Sequence, residues 1–123
     1  MKRYIKSSEA DSVMLLQTDK IEEDSYTNYL FNIVVNGKTV GDCSVLVDEN
    51  YAYCERIDIN KDQRNQGFGT NALYKLADMF GDIVVAPDNE DAKRLYERIG
   101  CEYNGNDADY IDQGYGVYRI WWR

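Results

Sequence analysis

Three β-forming runs separated by short polar turns fill the stretch from Tyr29 to Ile59: "YLFNIVV" (29–35), "TVGDCSVLV" (39–47) and "YAYCERIDI" (51–59). Their β-branched and aromatic residues suit a pleated, half-buried surface. "NGK" (36–38) predicts a hairpin turn, because Asn-Gly tolerates the positive φ angles of a type I′ turn. "DEN" (48–50) turns the chain again, so the three strands form an antiparallel meander. Beyond Ile59 the hydrophobic period lengthens. Leu73, Leu76, Ala77 and Phe80 fall at i, i+3, i+4 and i+7, the apolar stripe of an amphipathic helix that Gly81 ends. "DIVVA" (82–86) reads as a short buried strand. Pro87-Asp88-Asn89 opens a second helix with Asp88 or Asn89 as its cap. Ala92, Leu95, Tyr96 and Ile99 repeat the stripe, and Gly100 ends it. "CEYNG" (101–105) and "GVYRIWWR" (116–123) predict two closing strands around an acidic loop, "NDADYIDQG" (106–114).

The N-terminal part is less legible. "VMLLQ" (13–17) is apolar but too short for a helix, and "KIEEDSYTN" (20–28) reads as a polar loop. No repeat, low-complexity tract or linker interrupts the chain, so one domain is expected over 1–123.

Composition narrows the chemistry. A chain of 123 residues, 44% hydrophobic and 29% charged, has the make-up of an ordinary globular protein with a single core. No stretch approaches the roughly 20 apolar residues of a membrane span, and no signal peptide is expected. Cys43, Cys54 and Cys101 are odd in number and form no CxxC pair, which points to free thiols in a reducing compartment, the cytoplasm. With no histidine, Ser–His and Cys–His nucleophile pairs and His-rich zinc sites are excluded, and no metal is expected. Acid–base work falls to carboxylates, tyrosine, cysteine, lysine or water.

The net charge of −8 is uneven. Residues 1–55 hold 10 acids against 5 bases, residues 56–98 hold 8 against 7, and residues 99–123 hold 4 against 2. No basic stripe marks a nucleic-acid binder. The acidity either aids solubility or faces a cationic ligand, with Asp107, Asp109 and Asp112 in the acidic loop.

"RNQGFGT" (64–70) joins the third strand to the first helix. Glycine inside a helix costs roughly 1 kcal/mol relative to alanine, so two glycines at this junction serve either a turn or an anion. A helix N-terminus offers N–H groups without internal partners, at the positive end of the dipole, and small residues admit a phosphate to the backbone. The stretch lacks the Gly-Lys-Ser/Thr ending of a Walker loop and the third glycine of a dinucleotide fingerprint. A second motif follows 20 residues beyond Gly69. "NEDAKRLYERIGC" (89–101) reads N-x-x-A-x-x-L-Y-x-x-x-G, carried by Asn89, Ala92, Leu95, Tyr96 and Gly100.

The two motifs together resemble the GCN5-related N-acetyltransferase (GNAT) superfamily. Its Q/R-x-x-G-x-G/A loop is matched by Arg64, Gly67 and Gly69, and its later helix by the Asn89–Gly100 set, with Cys101 where the family has an aromatic residue. The resemblance covers residues 29–123 in strand order. It implies an α+β (three-layer) fold with a mixed, mostly antiparallel central sheet flanked by helices. It also implies an N-acetyltransferase that uses acetyl-CoA as co-substrate and acts on a primary amine. A catalytically inactive acyl-CoA-binding module and an acidic interaction protein are the alternatives. An acceptor of cationic character is expected, with neither nucleic acid nor membrane as partner, and a homodimer is left open.

Residue roles follow from the same resemblance. Main-chain N–H groups at about Gln66, Gly67, Phe68, Gly69 and Thr70 bind the CoA pyrophosphate, with Arg64 and Asn65 in the same loop. Arg64 serves either a phosphate or a surface ion pair. Ile57, Asp58 and Ile59 pair with the pantetheine as an added strand, and the Asn89 side chain hydrogen-bonds it. The Tyr96 hydroxyl protonates the leaving thiolate. Glu55 is the expected base, with Tyr53 a holder of water. Strand alternation places both on one face with Ile57 and Ile59. Family members carry two helices between their first strands, for which residues 1–28 leave little room. At most a helical turn is expected there, with "SVMLLQT" as an extra strand.

Overall fold

A computed structural model describes residues 13–103 and 111–121. Among them, β1 (Val13–Glu22), β2 (Thr27–Val35), β3 (Lys38–Val47), β4 (Ala52–Ile59), β5 (Asp82–Val85), β6 (Glu102–Tyr103) and β7 (Tyr118–Trp121) form one sheet in the order β1-β2-β3-β4-β5-β7-β6. Every neighbouring pair is antiparallel except β4 with β5. Two helices, α1 (Phe68–Phe80) and α2 (Glu90–Arg98), complete the α+β fold. The Asn36-Gly37 turn has both φ angles positive, at 52° and 79°, as a type I′ hairpin requires.

The N-terminal region corrects one expectation. Lys20–Glu22 extend β1 and Thr27–Asn28 begin β2, so only residues 23–26 form the connection. The expected extra strand at "SVMLLQT" is present as β1, and no helix stands between β1 and β2. β1 sits at the sheet edge, and from Leu16 to Glu22 it is exposed on both faces. With neither face packed, its side chains carry no alternating signal, and a polar strand reads as a loop.

The main core lies between the sheet and the helices. Leu73, Leu76 and Ala77 of α1 are fully buried against Phe31, Ile33, Val45 and Ile83, and Tyr96 and Ile99 pack onto the same cluster. Burying a leucine side chain contributes about 1.5–3 kcal/mol, which is how the stripe read from sequence holds α1 in place. The Tyr74 hydroxyl donates to the Ile99 carbonyl at 2.8 Å and ties α1 to the end of α2. A smaller cluster of Tyr51, Val84 and Val117, with Tyr53 and Ile111 against it, covers the other face.

Two features of the sheet set up the site. First, β4 and β5 pair only at Ala52–Ile83 and Tyr53–Val84. β4 runs on to Ile59 while β5 stops at Val85, so the far half of β4 has an edge unpaired by β5. Second, the β3–β4 register shifts between Val45–Cys54 and Ser44–Arg56, leaving Glu55 as an inserted bulge residue. Near the end of β4, a Cβ on Gly41 would lie 2.2 Å from the Asp58 carbonyl oxygen. Glycine is what lets β3 approach β4 there.

Candidate active site

Beyond the last β4–β5 pair, a cavity of about 300 Å³ opens against the unpaired half of β4. Its apolar walls are Ile57 and Ile59 from β4, Leu73 from α1, and Leu95, Tyr96 and Ile99 at α2. Arg64, Gly69 and Thr70 also line it. A second hollow of about 290 Å³ continues around the start of α1, sharing Ile59, Arg64, Gly69, Thr70 and Leu95 and adding Asn65, Gly67 and Arg98. The two form one groove along the β4 edge to the helix terminus.

The start of α1 is built to leave donors open. Gly67 is its N-cap at φ 80° and ψ 8°, a left-handed conformation that glycine adopts without steric penalty. Asn65, at φ 65°, helps the loop turn under the helix. A serine, threonine or aspartate cap would satisfy one of the first N–H groups; Gly67 has no side chain to do so. The first helical bond runs from Asn71 N–H to the Gly67 carbonyl at 3.0 Å. The N–H groups of Phe68, Gly69 and Thr70 therefore have no acceptor within the helix, and they sit at the positive end of its dipole. A Cβ on Gly69 would stand 3.6 Å from Ile59 Cγ1 and 3.8 Å from Ile57 Cγ2, ordinary contacts that would fill groove space without straining the fold. An uncapped helix start, a bare glycine in the wall and an open strand edge fit an extended, phosphate-bearing ligand.

On the far side of Ile57 and Tyr96 lies a third cavity, of about 310 Å³. Tyr53, Glu55 and Arg56 reach it from the bulged part of β4, Asp88 from the β5–α2 junction and Gln113 from the turn before β7. Ile57 and Tyr96 line both this cavity and the groove. The Glu55 carboxylate accepts a hydrogen bond from the buried Ser44 hydroxyl at 3.3 Å. Arg56 is held by Asp42 at 2.9 Å, so its charge is met outside the cavity lining. Burial pushes the Tyr96 phenol above the ordinary tyrosine range, and nearby Cys54, Cys101 and Asp88 act in the same direction. The phenol is protonated at neutral pH and can donate a hydrogen bond or a proton, and Tyr96 lines both cavities.

Several expected residues take different positions. Tyr53 packs with the small cluster on one face, whereas Ile57 and Ile59 pack with the main core on the other. The expectation that Tyr53 and Glu55 share a strand face with Ile57 and Ile59 is therefore corrected. The extra residue at Glu55 shifts the alternation by one, and a one-residue shift exchanges the faces. Glu55 and Tyr53 still meet in the same cavity, because the bulge brings them to the strand edge. Asn89 caps α2, with its Oδ1 accepting from Ala92 N–H at 2.8 Å and its Nδ2 donating to Asp88 at 2.9 Å. It lines neither the groove nor the third cavity. Gln66 also lies outside these linings, its side chain donating to the Gln63 carbonyl at 3.4 Å. Arg64 makes an ion pair with Asp58 at 3.3 Å and donates through Nε to the Ile59 carbonyl at 2.7 Å, bracing the end of β4 while lining the groove.

Three residues escaped the reading from sequence. Arg98 adds a cation to the groove, and its spacing of three from Leu95 on α2 was the available signal. Asp88 was noted only as a cap. Gln113 has no local signal at all. Asp112, expected with Asp107 and Asp109 either to aid solubility or to face a cationic ligand, is exposed and centres a turn: its Oδ1 accepts from Gly114 N–H at 2.7 Å and from Gly116 N–H at 3.0 Å. Asp107 and Asp109 lie outside the described residues. All three cysteines are buried, and none is in a disulfide. Burial, with Asp42 beside it, pushes the Cys43 thiol up to about 12; Cys54 is raised by burial in the same way. Neither offers an accessible thiolate.

The sheet is mostly antiparallel, its one parallel pair of β4 and β5 ends at Tyr53–Val84, and the uncapped, glycine-started α1 begins just past the end of β4. The sequence profile described as the acetyltransferase (GNAT) family matches residues 2–101, and the chain belongs to that family. No curated protein matches it by sequence. Among solved structures it is similar to a GNAT family acetyltransferase from Elizabethkingia anophelis with acetyl-CoA bound, at 12% identity and a TM-score of 0.61 over 91% of this chain and 99% of that one. It is also similar to the ribosomal-protein-S18-alanine N-acetyltransferase from Escherichia coli, at 22% identity and a TM-score of 0.55 over 80% of this chain and 70% of that one. A tandem GNAT protein from the clavulanic acid biosynthesis pathway matches at 9% identity and a TM-score of 0.56, over 68% of this chain. The chain spans 31% of that protein's length. No helix among the described residues is long and apolar enough to cross a membrane.

Proposed function

We propose that the chain acts, as one GNAT-like domain over residues 1–123, as an acetyl-CoA-dependent N-acetyltransferase. The acceptor is a primary amine on a small cationic molecule or peptide, and the acyl group passes directly from donor to amine. The observation that carries this reading is the position of Tyr96, which lines the groove on one side and the third cavity on the other.

Acetyl-CoA supplies the activated thioester. The N–H groups of Phe68, Gly69 and Thr70, with Arg98 nearby, hold the pyrophosphate, and the unpaired edge of β4 at Ile57–Ile59 holds the pantetheine arm. Tyr96 keeps its proton because its phenol is buried, and gives that proton to the departing sulfur. Glu55 faces the acceptor cavity and takes the proton that the amine must lose, directly or through water held by Tyr53. Three cysteines outside any disulfide support a reducing compartment, the cytoplasm. The Escherichia coli relative, an alanine N-acetyltransferase, supports transfer to a nitrogen acceptor.

Thiol release from acetyl-CoA, measured with and without a panel of amines, tests the reading. Amine-dependent release is expected. Tight acetyl-CoA binding without turnover of any amine would leave a binding module, and absence of binding would remove the reading altogether.

A further inference from the structure

The turn from Ile111 to β7 is built more firmly than its position requires. Asp112 gathers the N–H groups of Gly114 and Gly116 on one carboxylate oxygen. Both glycines are left-handed, at φ 101° and 98°. Gly116 lies under two rings: a Cβ there would come within 3.2 Å of both Tyr103 and Tyr118. Tyr118 in turn donates its hydroxyl to Glu97 of α2 at 2.8 Å. A continuous chain of contacts thus fastens this turn to the helix that carries Tyr96. The residue the turn presents to the acceptor cavity is Gln113.

Gln113 is the carboxamide of that lining, where the other neutral polar groups are the phenols of Tyr53 and Tyr96 and the thiol of Cys54. Glu55 and Asp88 are carboxylates, and Arg56 already pairs with Asp42. Gln113 is a neutral amide that can donate and accept. Its Nε2 makes only a long bond of 3.4 Å to the Ile111 carbonyl, and its Oε1 accepts from none of the described residues. A neutral donor–acceptor facing two carboxylates discriminates acceptors by what stands beside the amine, since an ammonium is drawn by Glu55 and Asp88 whatever it is attached to.

We infer that Gln113 is a specificity-determining residue, selecting primary amines that carry a neutral hydrogen-bonding group such as a carboxamide or hydroxyl next to the amine. This inference rests on the acetyltransferase reading above. It enlarges that reading by naming the neighbour of the reacting nitrogen and the residue that reads it. A neutral hydrogen bond of this kind is worth about 3- to 10-fold in selectivity.

The test compares glycinamide with propylamine as acceptors, in the wild-type protein and in Gln113→Leu and Gln113→Glu. The ratio of kcat/KM for the two amines is followed from protein to protein, which cancels their different basicities. Glu keeps an acceptor oxygen, and its added charge acts on both amines alike. Wild type and Gln113→Glu are expected to favour glycinamide, and Gln113→Leu to lose that preference through KM with kcat little changed. Calorimetric titration of both amines into the CoA-saturated proteins gives the same comparison without turnover. Equal ratios in all three proteins, by either measure, overturn the inference while leaving the acetyltransferase reading intact. Failure to bind CoA overturns both.

Discussion

The groove and the third cavity share two residues and draw on the main chain to different degrees. The groove takes many of its polar groups from the main chain, namely the edge of β4 and the first N–H groups of α1. Its side chains add Arg64 and Arg98 at the helix end and an apolar wall of Ile57, Ile59, Leu73, Leu95 and Ile99. The third cavity takes its polar groups from side chains on four separate places: the β4 bulge, the β5–α2 junction, α2 and the turn before β7. A main-chain site needs only a strand edge, a glycine and a helix start, so it survives wide divergence in side chains. A side-chain site depends on one inserted residue and one turn, and can be respecified by changing either. The fold is suited to keeping one donor while varying the acceptor.

The residue in the partition should show the largest effect. Tyr96→Phe retains the ring against the core and deletes the hydroxyl, so turnover should fall on the order of 10²–10⁴-fold while acetyl-CoA affinity holds, as single-turnover rates and calorimetry would show. Because burial raises this phenol, it stays protonated beyond the ordinary tyrosine value, and wild-type kcat should not decline on the alkaline side up to about pH 10. A Phe variant with wild-type turnover makes Tyr96 a packing residue of the main core.

Next comes the acceptor side. Glu55→Gln removes a proton acceptor from the cavity and should lower kcat by roughly 10²-fold, with donor binding unchanged. An equal or larger loss in Tyr53→Phe, with Glu55→Gln active, would move the base from the bulge to a water held by Tyr53.

On the donor side, Gly67→Glu puts a carboxylate beside the uncapped N–H groups and forces a left-handed conformation on a residue with a Cβ. Acetyl-CoA affinity should fall by about 2 kcal/mol or more, roughly a 30-fold rise in Kd. Titration of a folded variant with wild-type affinity would separate the glycine loop from donor binding and leave it a turn.

The smallest effect is local. The N–H groups of Gly114, then Gly116 and Tyr115, hold the Asp112 carboxyl below its ordinary range. A depressed carboxyl favours the folded turn above its ordinary value and loses that contribution as pH falls through the lowered one. The amide proton shifts of Gly114 and Gly116 should therefore stay constant down to about pH 3.9 and move only below it. Movement well above that pH would show that Asp112 does not organise the turn.

Much of this molecule was determined by the sequence alone, wherever the deciding interactions are local. The Asn36-Gly37 hairpin, the stripes of α1 and α2, and the Gly67–Gly69 start of α1 follow from backbone preference and periodicity within a few residues, and each stands where the pattern placed it. Tertiary structure alone decided the rest. β1 extends through polar residues because β2 supplies its hydrogen bonds, which no pattern in β1 encodes. The Glu55 bulge is a property of the register between two strands, so alternation along β4 alone assigned Tyr53 to the wrong face. Asn89 was legible as the cap of α2, whereas the bond from its amide to Asp88 is visible only in space. Gln113 enters the cavity because a turn 17 residues after Tyr96 is fastened back to α2, a long-range contact between elements that are separate in the sequence.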